Sequence, residues 1–92
     1  MNTHATFKSS GISSVAANAS TSTPLNSQLA TRVIISNTAA GSVALTVSQD
    51  GGSDVITVPA AGSFQFDGLR NATQLSVQAA SGTPTVSYRW LH

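Results

Sequence analysis

The chain has no cysteine and no glutamate, and only 8% of its 92 residues are charged. Without cysteine there can be no disulfide, no thiolate nucleophile and no cysteine-based metal site. A typical soluble domain carries about 25% charged residues. Here four basic residues (Lys8, Arg32, Arg70, Arg89) and three aspartates (Asp50, Asp54, Asp67) are scattered along the chain and leave a net charge of +1. A charge that small and dispersed gives no field to steer nucleic acid or an acidic partner, so nucleic acid is not expected as a partner. Aromatic residues make up 5% of the chain. No apolar run has the length of a signal-peptide core or of a membrane span, so no membrane association is expected.

The same scarcity bears on catalysis. Both histidines, His4 and His92, lie near the ends of the sequence, where no scaffold holds them, and the aspartates fall in turn-forming stretches. Serines are abundant, but none has a base placed beside it to activate its hydroxyl. We therefore expect no catalytic residue, no cofactor site and no enzyme activity. Asp50-Gly51-Gly52-Ser53-Asp54 offers oxygen ligands in a glycine-rich loop. It falls short of the six to eight oxygens a calcium ion takes and has no bidentate glutamate, so it reads as a hairpin turn and no metal is assigned.

What the chain does have is serine, threonine and alternation. Serine and threonine supply 26 of the 92 residues. Val43, Leu45 and Val47 alternate with Ala44, Thr46 and Ser48, the period of two that sends one side of a strand to a core. After the turn at Gln49–Asp54, Val55–Val58 resumes as a strand. Pro59-Ala60-Ala61-Gly62 turns the chain again, and Phe64 and Phe66 alternate up to Asp67-Gly68. Thr31–Ser36 is a β-branched run whose three consecutive apolar residues, Val33, Ile34 and Ile35, imply burial on both faces. Leu75, Val77 and Ala79 form another alternating strand. In the last one, Val86, Tyr88 and Trp90 share one face while Thr85, Ser87 and Arg89 share the other.

Ile12–Ala16 reads as a short strand, and Pro24, without an N–H, belongs at an edge or a strand start. Leu25 and Leu29 are expected to enter the core from an irregular segment. Residues 1–11, with Phe7 as their single large apolar residue, read as an N-terminal arm that is either a disordered terminus or an extended segment whose Phe7 docks on a neighbouring subunit. The resulting expectation is all-β: a small antiparallel β-sandwich (jelly-roll or Ig-like) or barrel of six to seven strands spanning residues 12–92. Its core would comprise Val33, Ile35, Val43, Leu45, Val47, Ile56, Val58, Phe64, Phe66, Leu75, Val77, Val86 and Tyr88. Arg89-Trp90-Leu91-His92 brings together residue types enriched at interaction hot spots. Phe7, Arg89, Trp90 and Leu91 are thus the candidate interaction residues, although a Trp at the end of an alternating strand is more often a core residue or a plug on the open end of the sandwich.

Three strings, RVIISN (Arg32–Asn37), ITVPAAGSFQFDG (Ile56–Gly68) and AASGTPTVSYRW (Ala79–Trp90), together with the Ser/Thr/Ala-rich leader, carry a likeness. They resemble small all-β virion proteins of tailed bacteriophages, the capsid decoration or cement proteins and related head or tail accessory subunits. That resemblance implies a structural protein, made in the host cytoplasm and located on the capsid surface of the virion. Its partners would be the major capsid protein or other virion subunits. The alternatives are a carbohydrate- or receptor-binding module of a phage fibre or bacterial adhesin, and a head–tail or tail accessory subunit. Independently, the strands contain no lysine, a common guard on exposed sheet edges. We therefore expect a homo-oligomer, with a trimer favoured.

Overall fold

The computed structural model describes residues 9–37 and 43–92. Eight strands form two antiparallel sheets: β1 (Ser10–Ala16), β2 (Thr23–Pro24), β3 (Arg32–Ser36), β4 (Leu45–Gln49), β5 (Val55–Val58), β6 (Ser63–Asp67), β7 (Leu75–Ala79) and β8 (Thr85–Leu91). One sheet has the order β1-β8-β3-β6 and the other β2-β7-β4-β5. The pairings are nested: β1 pairs with β8, β2 with β7, β3 with β6 and β4 with β5, as though one long hairpin had been rolled up. The contacts β3–β8 and β4–β7 then stitch the roll into two four-stranded layers. This is jelly-roll order, which settles the choice left open between jelly-roll and Ig-like sandwiches.

The alternation explains the layers. Val33 and Ile35 of β3, Leu45 and Val47 of β4, Leu75, Val77 and Ala79 of β7, and Val86 and Tyr88 of β8 all turn inward and are buried. Val58 and Phe66 join them from the edge strands, and Val43 packs against the cluster while partly exposed. Ile34 faces outward from β3 and is half-buried, as its apolar neighbours implied.

Three residues expected in the core are exposed instead, two of them on edge strands. Ile56 and Phe64 are 39% and 41% exposed. Both have the inward phase, since Ile56 pairs with the buried Val47 and Phe64 with the buried Ile35. But β5 and β6 are the outermost strands of their sheets on the same side of the sandwich, so no further strand lies beyond them to complete the burial. Phe64 stacks instead on Phe66, with ring centroids 4.9 Å apart. Leu29, expected to enter the core, is 58% exposed, whereas Leu25 is buried as expected. The strand structure also begins earlier than expected, because Ser10 and Gly11 already belong to β1, and Ser9 exchanges backbone hydrogen bonds with His92.

Burial also reaches residues outside the alternating runs. Ala17, Leu25, Ala30, Leu69 and Ala72 are all in the core. They sit in connections pinned by side chains. Asn71 caps a single 3₁₀ turn (Ala72–Gln74), and its Oδ1 accepts from the N–H groups of Thr73 and Gln28, while Gln74 Oε1 returns to accept from the Asn71 and Arg70 N–H groups. Such a reciprocal cap satisfies donors the short turn leaves open. Asn37, only 2% exposed, ties the end of β3 to the opposite sheet: its Nδ2 donates to the carbonyls of Val43 and Val58, at 2.8 and 3.1 Å.

Two tight turns, one closing the β4–β5 hairpin and one carrying the chain from β5 across to β6 in the other sheet, follow different chemistry. At Gln49–Gly52 the Gly52 N–H donates to the Gln49 carbonyl, with Asp50 and Gly51 both at positive φ (54° and 69°), the type I′ geometry that matches strand twist. At Pro59–Gly62 the positive φ falls on Ala61 (63°) rather than on the adjacent glycine. Gly62 is needed for space, since a Cβ there would lie 2.9 Å from the Pro59 ring.

Candidate functional site

The C-terminal strand carries the residues the sequence singles out, and register shows what surrounds them. β8 lies between β1 and β3, with Arg89 opposite Ile12 on one side and Ile34 on the other. Directly opposed residues in a sheet point to the same face. The outer face of this sheet therefore carries a row Ile12–Arg89–Ile34–Gln65 across all four strands. The neighbouring row is Ser14–Ser87–Ser36–Ser63. Short hydroxymethyl side chains leave the sheet surface low along that second row. Between the rows is an open depression of about 170 Å³, lined by Ile12, Ser36, Ser87, Tyr88 and Arg89. Ile12 is 68% exposed, and Arg89 makes no ion pair among the described residues.

Arg89 and Leu91 share this outer face, Leu91 being half-buried between Ser10 and Arg32. Trp90 has the opposite phase. Its indole turns inward, packs against the core and lies over Gly11, where a Cβ would sit 2.6 Å from the Trp90 ring. Glycine on an edge strand leaves a gap that a cross-strand aromatic ring fills, so the structure separates Trp90 from Arg89. Phe7 lies outside the described residues. Ile12, Ile34, Ser36 and Ser87 were not singled out from the sequence. Their alternation assigns them to outward faces, but only the pairing of β1, β8 and β3 brings them around Arg89.

The remaining charge on this face is paired. Arg32 Nε donates to Asp67 Oδ1 across the β3–β6 pair. That hydrogen bond, with a second from Gln65 Nε2 to Asp67 Oδ2 at 3.1 Å, holds the Asp67 carboxyl below the usual carboxylate range. The strand residues on the outer face of the second sheet, among them Ser76, Gln78, Thr46, Ser48, Val55 and Thr57, are uncharged. No group of three or more histidines, cysteines or carboxylates is close enough to hold a metal among the described residues. The Asp50–Asp54 loop is a turn in which Asp50 Oδ1 accepts from Gln74 Nε2. Among the described residues no helix is long and apolar enough to cross a membrane.

No family model matches the sequence, and no curated protein matches it. A solved structure described as the crystal structure of PirA is similar to it at 14% identity, over 90% of this chain and 84% of that one, with a TM-score of 0.39. A likeness that slight carries no argument about this chain.

Proposed function

We propose that this protein is a structural virion component that decorates or cements a tailed-phage capsid and performs no catalysis. The observation that supports this reading is the outer face of the β1-β8-β3-β6 sheet. Ile12, Ile34 and Leu91 surround Arg89 there, next to a row of serines, and among the described residues Arg89 has no ion pair and the face has no recessed set of acids and bases. Such a face suits burial against another protein surface: apolar centre, one arginine, short neighbours that let a partner approach closely. Binding only the assembled shell would stabilise it by mass action, by about 2.7 kcal/mol when the free protein stands at a hundred times its Kd.

The test is to add purified protein to capsid shells that lack it and to measure co-sedimentation and survival on heating. Binding with a raised heat-survival midpoint is expected, and Ile12→Lys combined with Arg89→Glu should abolish both. Shells that neither bind the protein nor gain resistance would refute the proposal. The depression beside Arg89 favours a second reading, a module for carboxylate-bearing saccharides, in which the guanidinium holds the carboxylate and Ser36 and Ser87 meet ring hydroxyls. Glycan-array binding lost in Arg89→Ala, with no shell binding, would select it.

A further inference from the structure

We propose that two copies of this chain join edge to edge through β5, merging their β2-β7-β4-β5 sheets into one continuous sheet across a two-fold axis. The proposal does not depend on capsid binding.

Among the described residues the sandwich has four free strand edges, and three of them carry at least one device against pairing. β2 is only two residues long. β6 carries Asp67, ion-paired to Arg32, beside Gln65. On β1, backbone bonds from Ser9 to His92 and from Ala17 to Pro84 show that the odd residues bond to β8, which leaves the even residues facing out. One of these, the Ser14 carbonyl, accepts from Asn26 Nδ2 at 3.0 Å. Short strands, charge and covering segments are the ordinary devices against edge pairing.

Among the described residues β5 has none of them. Its sequence is Val55-Ile56-Thr57-Val58, without charge, and Val55 and Ile56 are two of the five large exposed apolar residues among the described residues. Its phase follows from β4. The Asp50 N–H donates to Gln74 and the Ala80 N–H to Ala44, so the even residues of β4 bond to β7 and the odd ones to β5. Ile56 and Val58 therefore bond back to β4, and Val55 and Thr57 turn their N–H and C=O groups to the open edge. These groups find no partner among the described residues.

That pattern is complementary to itself. With Ile56 on the two-fold axis, Val55 of each copy opposes Thr57 of the other, and every outward N–H and C=O of both residues is paired. Ile56 meets its own symmetry mate as a close, non-hydrogen-bonded pair, covering the side chain the monomer leaves open. Asp54 of each copy lies opposite Val58 of the other, at the two ends of the ribbon, so the like charges stay apart. A second copy is thus the occupant whose hydrogen-bond spacing and charge this edge already fits.

The chain lacks cysteine, so single cysteines report the register directly. Light scattering of the purified full chain should give twice the 9.3 kDa chain mass. Ile56→Cys should cross-link to completion on mild oxidation, while Val55→Cys and Thr57→Cys should remain uncross-linked. Val55→Lys, and Thr57→Pro, which removes only an outward donor, should halve the mass and speed amide exchange at Thr57 in the first and at Val55 in the second. Far-UV circular dichroism should stay unchanged in both. Ile12→Lys, on the far edge, should leave the dimer intact. A single-chain mass at every concentration, the trimer expected from sequence, or equal cross-linking at all three cysteine positions would overturn the proposal. So would β5 amides protected only in the presence of shells, which would assign the edge to a capsid strand.

Discussion

The two open sides of the sandwich are built from equivalent alternation yet finish differently. On the β1/β2 side, Trp90 covers Gly11, while Leu25 and Ala17 fill the space beneath the connection. The Asn26 N–H donates to the Tyr88 hydroxyl, which fastens that connection to β8. On the β5/β6 side the inward-phased Ile56 and Phe64 stay partly exposed, with no described residue beyond them to cover them. The difference lies in the irregular segments. A loop with buried apolar residues closes one side, and a tight four-residue turn, with nothing to spare, leaves the other unfinished.

The largest test of this contrast is a pair of truncations on opposed strands. Leu45→Ala, fully buried at the centre of the second sheet, should cost about 2–5 kcal/mol in urea unfolding. Ile56→Ala, nearby on β5 and partly exposed, should cost far less under conditions where the chain is monomeric. Equal losses would mean that the β5 side is as closed as the middle. Next, Gly11→Ala should cost about 1–3 kcal/mol, because its methyl group occupies the space of the Trp90 ring. Trp90 fluorescence should shift red as the indole moves outward, and an unchanged spectrum with unchanged stability would break the account of the closed side.

On the open side a gain is expected. Ala61 holds a left-handed conformation that costs an alanine roughly 1 kcal/mol relative to glycine. Ala61→Gly should recover a part of that in the unfolding free energy, less the added freedom of the unfolded chain. The smallest effect belongs to Asp67. Its folded pKa is depressed by Arg32, so its contribution is present above the ordinary carboxylate pKa and is lost as pH falls through the lower folded value. The pair is exposed and screened. Asp67→Asn should therefore remove a slight acid dependence of the melting midpoint and leave neutral-pH stability almost unchanged.

Much of this architecture is legible before any coordinates. Val33, Ile35, Leu45, Val47, Leu75, Val77, Val86 and Tyr88 follow a period of two, and that period alone assigns them to the inner faces. Alternation says which face a residue takes and nothing about how many strands lie beyond it. Ile56 and Phe64 have the right phase and the wrong position, which is why they look like core residues in the sequence. Ala17, Leu25, Ala30, Leu69 and Ala72 are buried by tertiary fit in segments without a period. β2 is too short to leave a pattern. The candidate site divides similarly: Arg89 and Trp90 separate by parity, while the approach of Ile12 and Ile34 to Arg89 depends on which strands become neighbours.

The nested pairing has a consequence for how the chain acquires its shape. β8 is the middle strand between β1 and β3, so the first sheet has a vacant lane until residues 85–91 have been synthesised. On the ribosome, the early strands must wait with their apolar faces unspent until β8 has emerged to lock β1 in place. Folding governed by such distant partners is slow and sensitive to competitors. Chains interrupted before Thr85 should be cleared by proteases rather than accumulate as a smaller, stable domain.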